Sequence, residues 1–325
     1  MSTESIEEEP GPVDESELAS AQEFRRRIAL AVTDAVEVRR DLLDLVLVCV
    51  VAEGHILIED LPGVGKTTLA RSVARALDLQ FARVQCTADL LPADVVGTNV
   101  FNQREGRFEF RPGPIFANVV LVDEINRASP KTQSGLLECM QERNVTVDVH
   151  THELARPFIV LATQNPIEFE GTYPLPEAQV DRFMARVSMG YPSAGGEVAM
   201  LRAHETTDRV EQIEPVATAA DLLTVEDAAR RIHASDALRG YVVSLLQHTR
   251  EDPRAELGAS PRAGLLLLRA AKARALLLGR DHALPDDVQA LAEVVLAHRI
   301  VLAPEAVDAT GERIVADALA ATPAL

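Results

Sequence analysis

The chain has 325 residues, 47% apolar and 4% aromatic, with no Trp and a formal charge of −18. That length fits one large domain or two ordinary ones and can bury a substantial core, while the acidic balance argues against duplex nucleic acid as the default partner. Cys49, Cys86 and Cys139 are too scattered for a disulfide framework, the first 20 residues lack the features of a secretion signal, and the longest apolar run, 45–52, is too short for a bilayer, so a soluble cytoplasmic chain without membrane insertion is expected.

Residues 1–17 hold seven acids (Glu4, Glu7, Glu8, Glu9, Asp14, Glu15, Glu17) and no Lys or Arg, and read as a disordered acidic tail. From about 16 to 52 apolar residues recur at helical spacing, first Phe24, Ile28 and Val32, then Leu43, Val46, Leu47 and Val50. Two helices are expected, the second stopped by Gly54. Residues 55–59 then form an apolar, β-branched strand, 60–65 a turn, and Lys66 opens a helix through Leu69, Ala70, Val73 and Leu77. A strand, a glycine-rich turn and a helix N-terminus aim backbone N–H groups and positive dipole at one place, which favours polyphosphate. Pro62, Gly63, Val64, Gly65, Lys66, Thr67 and Thr68 are therefore the candidate ATP-binding residues. Lys66 would reach the β- and γ-phosphates, and the Thr67 hydroxyl would sit on Mg²⁺. The pattern G-x-x-x-x-G-K-[ST] fails only at its first position, where Asp60 stands; a turn start needs only a compatible backbone there.

Residues 81–86 are a short strand candidate, and 99–102 with 108–111 are expected as a β-hairpin turned at Arg104-Glu105-Gly106. The second strong motif is 118–124, an apolar strand ending in paired acids. Behind a phosphate loop such a pair divides the work of phosphoryl transfer: Asp123 holds Mg²⁺ through its waters, and Glu124 takes a proton from the attacking water. Ser129-Pro130 starts a helix. Val145, Val147 and Val149 alternate with Thr146, Asp148 and His150 as a strand with one polar face, half of a second hairpin. Asp148, His150 and His152 have metal-compatible spacing on that face, but no fourth ligand is evident and an ordinary exposed face is preferred.

A further buried strand over 157–165 ends in Thr163, Gln164 and Asn165. Asn165 either orients water beside the γ-phosphate or is a plain strand-end Asn. Arg182 is either a surface cation or a finger reaching a neighbouring subunit's nucleotide. A last strand is expected over 186–189, and the loop 190–196 is the candidate domain boundary. Beyond it the pattern is helical, most clearly over 225–232, 236–248, 260–278 and 285–298.

The order of these motifs resembles the AAA+ ATPases and, within them, the MoxR family, from about Gly54 to Arg299. The resembling residues include Pro62-Gly-Val-Gly-Lys-Thr67, Gly113-Pro-Ile-Phe116, Asp123-Glu-Ile-Asn-Arg-Ala128, Ala162-Thr-Gln-Asn-Pro166, Gly171-Thr-Tyr-Pro-Leu-Pro-Glu-Ala178, Asp181-Arg-Phe183 and Gly258-Ala-Ser-Pro-Arg262. The resemblance implies an α/β core (18–190), a five-stranded parallel sheet flanked by helices, followed by an all-α lid (191–325). It implies that Asn165 is sensor 1, that Arg182 is the arginine finger with Arg186 as the fallback, and that Arg262 is the sensor 2 Arg reaching the γ-phosphate from the lid. Residues 99–116 resemble the family's helix-2 insert and 145–154 its pore-facing hairpin. Two stretches depart from the family. Ala35-Val-Glu-Val-Arg39 replaces a Val-x-Gly-Gln-like stretch near the adenine pocket, and Val149-His150 replaces the usual hairpin Gly.

The expected protein is a Mg²⁺-dependent ATPase that acts as a ring, a hexamer by resemblance. Its implied work is chaperone-like, in client maturation or metal insertion, beside a von Willebrand factor A-domain protein. The alternatives are a chelatase-like motor subunit, a nucleotide-dependent switch without turnover, which the intact Asp123-Glu124 pair argues against, and a DNA-remodelling ring, which the acidic balance disfavours.

Overall fold

A computed structural model describes residues 11–60, 63–165, 171–191, 195, 198 and 209–324. It opens with two helices, α1 (Glu15–Ala35) and α2 (Arg40–Val51). Helix α1 begins inside the stretch expected as a disordered tail. The Asp14 carboxylate accepts the Glu17 N–H at 2.9 Å while the Glu17 carboxylate accepts the Asp14 N–H at 3.0 Å. This capping box satisfies two orphan donors and starts the helix. Glu17 also pairs with Arg231. The expected tail is therefore corrected at its C-terminal end, and residues 1–10 lie outside the described residues.

The core follows as β1 (Ile56–Glu59), α3 (Lys66–Ala76), β2 (Phe81–Gln85) and α4 (Pro92–Val96). Next come β3 (Gly97–Asn102), β4 (Arg107–Pro112), β5 (Val119–Asp123) and α5 (Pro130–Glu142). The last part holds β6 (Asn144–Val147), β7 (His150–Glu153), β8 (Ile159–Gln164), α6 (Glu177–Val180) and β9 (Ala185–Val187). Five of these strands form one parallel sheet in the order β2-β5-β8-β1-β9. The inner strands β5, β8 and β1 are runs of Val, Ile, Leu and Ala because helices cover both faces. Alternate residues feed two cores. Leu57, Val120, Val122 and Val160 pack with Leu136, Leu137 and Met140 of α5. Ile56, Ile58, Leu121 and Leu161 face the other way, toward α1, α2 and α3.

That second core continues into the C-terminal helices, α7 (Ala219–Arg231), α8 (Asp236–Glu251), α9 (Pro261–Leu277), α10 (Pro285–Leu296) and α11 (Gly311–Ala321). Thr218, Ser235, Ser260 and Thr310 each accept a backbone N–H three residues on, so four of these helices begin on a side-chain cap. A small antiparallel pair, β10 (Ala255–Leu257) with β11 (Val301–Leu302), and α11 were not anticipated from the sequence. The chain leaves the sheet near the expected boundary at 190. In space, however, α9 packs on α1 and α2, so one apolar cluster spans the lid and the N-terminal helices. The junction is reinforced by Glu53, whose nearly buried carboxylate accepts from Arg143, Arg156 and Arg230, while Arg156 also reaches Glu226 at 3.3 Å.

The hairpin of β3 and β4 is as expected, with Phe101 paired to Phe108. The second hairpin corrects the expected alternation. Asp148, at φ 56°, and Val149 form the turn, so residues 145–150 are not one strand. Asp148 accepts from Asn99 at 2.6 Å, and the His152 ring stacks on Phe110 with centroids 3.9 Å apart. These side chains join the two hairpins, and no cluster of three or more metal-binding side chains is found among the described residues.

Candidate active site

The turn between β1 and α3 takes its shape from two glycines. Gly63 has φ 86° and Gly65 has φ 92°. A Cβ at Gly63 would meet nothing within 4 Å, so backbone conformation rather than space demands glycine there. Gly65 is the N-cap of α3, which sets the first helical N–H groups toward the carboxyl edge of the sheet. In open α/β sheets, ligands bind in the crevice outside that edge.

A cleft of about 370 Å³ opens there, lined by Gly63, Gly65, Lys66, Thr67, Thr68, Arg83, Gln85, Asp123, Glu124 and Asn165. Eight of these are candidates from sequence; Gly63 to Thr68, Asp123, Glu124 and Asn165 come from three separate strand ends. Val64 is buried in the apolar core instead of lining the cleft, and Pro62 lies outside the described residues. Lys66 donates to the Asp60 carbonyl at 3.0 Å. Burial lowers the Lys66 pKa, opposed by Asp123, Asp60 and Glu124.

Asp123 is held at both oxygens: Oδ1 accepts from the Thr163 hydroxyl at 2.6 Å and Oδ2 from Arg83 at 2.6 Å. Thr163 in turn accepts the Glu124 N–H at 2.9 Å. That bond helps fix Glu124 in the left-handed region, φ 56° and ψ 51°, a conformation costing a non-glycine residue on the order of 1 kcal/mol. Oε2 of Glu124 accepts from Gln85 at 3.2 Å and from Arg127 at 3.1 Å.

Arg83, Gln85 and Thr163 were not assigned roles from sequence. Arg83 and Gln85 alternate on one face of β2, and Gln85 registers with Asp123 on β5. Two polar residues two apart near a strand's carboxyl end were the available signal. Neither Arg182 nor Arg262 lines the cleft. Arg182 follows α6, half-buried, and its side chain makes no hydrogen bond or ion pair among the described residues. Arg262, beside Pro261 at the start of α9, lies 3.7 Å from Asp181, which also binds Arg299 at 2.7 Å. Arg186 pairs with Glu59 at 3.3 Å and with Glu312 of α11 at 2.6 Å.

A phosphate loop, paired acids ending a nearby parallel strand and a helical lid define an ATPase of the AAA class. The family model for the ATPase family associated with various cellular activities (AAA) matches residues 55–185, and the AAA lid domain matches 247–318. The Bacillus subtilis protein YeaC is 50% identical over 268 residues, covering 82% of this chain and 84% of YeaC. Chaperone MoxR1 of Mycobacterium tuberculosis is 41% identical over 274 residues, covering 82% of this chain and 72% of that protein. A solved structure of a candidate ATPase from Cytophaga hutchinsonii superposes with a TM-score of 0.90 at 37% identity, covering 96% of this chain and 98% of the other. The chain belongs to the MoxR family of AAA+ ATPases.

Proposed function

We propose that this chain hydrolyses ATP in a Mg²⁺-dependent reaction, as a hexameric ring, and that turnover drives chaperone-like work on a client protein. The observation that carries this reading is the arrangement of Thr163, Asp123 and Glu124 at the cleft beside Lys66. One hydroxyl holds the Asp123 carboxylate and the Glu124 main chain, while Gln85 and Arg127 hold the Glu124 carboxylate.

The donor set fits Mg²⁺. Thr67 and Asp123 offer oxygen, the ligand of a hard cation, and an Asp123 already held by Thr163 and Arg83 suits contact through water. When bound, the metal neutralises charge developing on the phosphates. Lys66 and the N–H groups of the loop hold the phosphates, Glu124 takes the proton of the attacking water, and Asn165 orients that water. Oε2 of Glu124 is engaged by Gln85 and Arg127, so Oε1 is the oxygen that would face the water.

The ring is supported by Arg182, whose side chain finds no partner in its own chain among the described residues and does not line its own cleft. A finger acting in trans completes a site only at a subunit interface. Arg262 would reach the γ-phosphate from the lid once parted from Asp181. The chaperone-like task is supported by the name of the MoxR1 relative. Client maturation or metal insertion beside a von Willebrand factor A-domain protein is the form of that task the family resemblance suggests. Lid and core are proposed as the two moving parts, divided near residue 190.

The test is phosphate release from ATP, with sedimentation of the same sample. Turnover in Mg²⁺ that stops in EDTA, from a particle near six copies, is expected. A nucleotide-bound ring that releases no phosphate would contradict the reading.

A further inference from the structure

The phosphate loop departs from the usual pattern at Asp60, and that residue is buried at 8% exposure. A solvated turn residue would not need burial, and a buried carboxylate is costly unless its oxygens are bonded. Oδ2 of Asp60 accepts from three consecutive residues far along the chain: the Ser188 hydroxyl at 3.2 Å, the Met189 N–H, and the Gly190 N–H at 3.0 Å. These residues follow β9, where the chain leaves the sheet toward the lid. The main chain of Asp60 is engaged separately. Its carbonyl accepts from Lys66 at 3.0 Å, and its N–H donates to the Gln164 carbonyl at the end of β8 at 3.2 Å.

One residue thus touches the phosphate-binding lysine through its backbone and the exit of β9 through its side chain. A glycine at this position, as in the usual pattern, would retain the first contact and lose the second. Met189 is 7% exposed, so its N–H has little water to turn to. The Met189 side chain also lies against the loop, 3.9 Å from where a Gly65 Cβ would stand.

We infer that Asp60 is a positioning residue that ties the phosphate loop to the Ser188–Gly190 exit, so that occupancy at Lys66 is transmitted to the chain entering the lid. This rests on the ATPase reading only for its nucleotide-dependent part.

The experiment is hydrogen exchange of the full chain across residues 187–191, without nucleotide and with ADP, for wild type, Asp60→Gly and Asp60→Asn. Without nucleotide, Asp60→Gly should exchange at Met189 and Gly190 at least about tenfold faster than wild type, and Asp60→Asn, which keeps an acceptor, should stay near wild type. Asp60→Gly should hold ADP within about threefold of wild type but lose the ADP-induced protection beyond Gly190, and its kcat should fall about tenfold with KM little changed. Equal exchange at Met189 and Gly190 in Asp60→Gly and wild type would overturn the tie. Retained ADP-induced protection beyond Gly190, or a loss of ADP affinity matching the loss of kcat, would overturn the transmission. If Asp60→Gly fails to fold, Asp60→Ser is read by the same criteria. A wild-type chain without ATP turnover would overturn the ATPase reading, while the nucleotide-free exchange still decides the tie.

Discussion

The Thr163 hydroxyl donates to the Asp123 carboxylate at 2.6 Å and accepts the N–H of Glu124 at 2.9 Å. The carboxylate that ends β5 and the backbone of the acid after it are therefore both held by a residue of the adjacent strand β8. Thr163→Val keeps the shape and removes both bonds, leaving a part-buried N–H unpaired. Stability should fall by about 1–3 kcal/mol in urea unfolding, and kcat should fall by on the order of tenfold or more. Thr163→Ser should recover most of both. A Val variant with wild-type kcat would show that Thr163 does not set the acids.

Lys66 lines the cleft at the end of the loop, and its ammonium donates to the Asp60 carbonyl. Removing it as Lys66→Ala deletes a charge-assisted contact to phosphate, so calorimetry should show nucleotide affinity weakened by about 100-fold or more. Unchanged affinity would mean that the cleft is not the nucleotide site.

Arg182 makes no side-chain bond in its own chain among the described residues. Neither Arg182→Ala nor Glu124→Gln alone should turn over ATP well. In mixed rings, a Glu124 from the first variant can meet an Arg182 from the second, so activity should rise at intermediate ratios. Flat activity at every mixing ratio would assign Arg182 to the surface.

Glu226 is 2% exposed, and burial pushes its carboxyl up to about 7, although Arg156 and Arg143 pull it down. The folded protein keeps this proton where the unfolded chain has lost it. Its contribution to stability is thus full below about 4.5, is lost as pH rises, and is gone above about 7. Burial lowers the pKa of His55 to about 4, and that of His298 falls too. These histidines give a slope of opposite sign, so wild type and Glu226→Gln must be compared at each pH. The variant should gain on the order of 3 kcal/mol relative to wild type between about pH 4.5 and 7.5. A difference constant with pH would contradict this.

The sheet was legible because β1, β5 and β8 are short apolar runs bounded by polar turns, and burial on both faces leaves no other composition. The contiguous parts of the site, Gly63 to Thr68 and Asp123-Glu124, were legible for the same local reason. Arg83 and Gln85 show locally only as polar residues two apart on β2; that they and Thr163 meet Asp123 depends on strand register, which no local pattern states. The Asp60 contact to Met189 and Gly190 depends on β9 lying beside β1. The turn at Asp148 was hidden because polar and apolar residues keep alternating through it. The start of α1 is readable in the capping-box spacing of Asp14 and Glu17, which lies within an acidic run that masks it.

The central claim is that Glu124 activates water in a nucleotide-filled cleft. It is tested most directly by the nucleotide recovered from purified Glu124→Gln after incubation with Mg²⁺ and ATP. Intact ATP, bound as tightly as by wild type and with phosphate release slowed by on the order of 100-fold or more, is the predicted result. Recovery of ADP, with release at the wild-type rate, would contradict it.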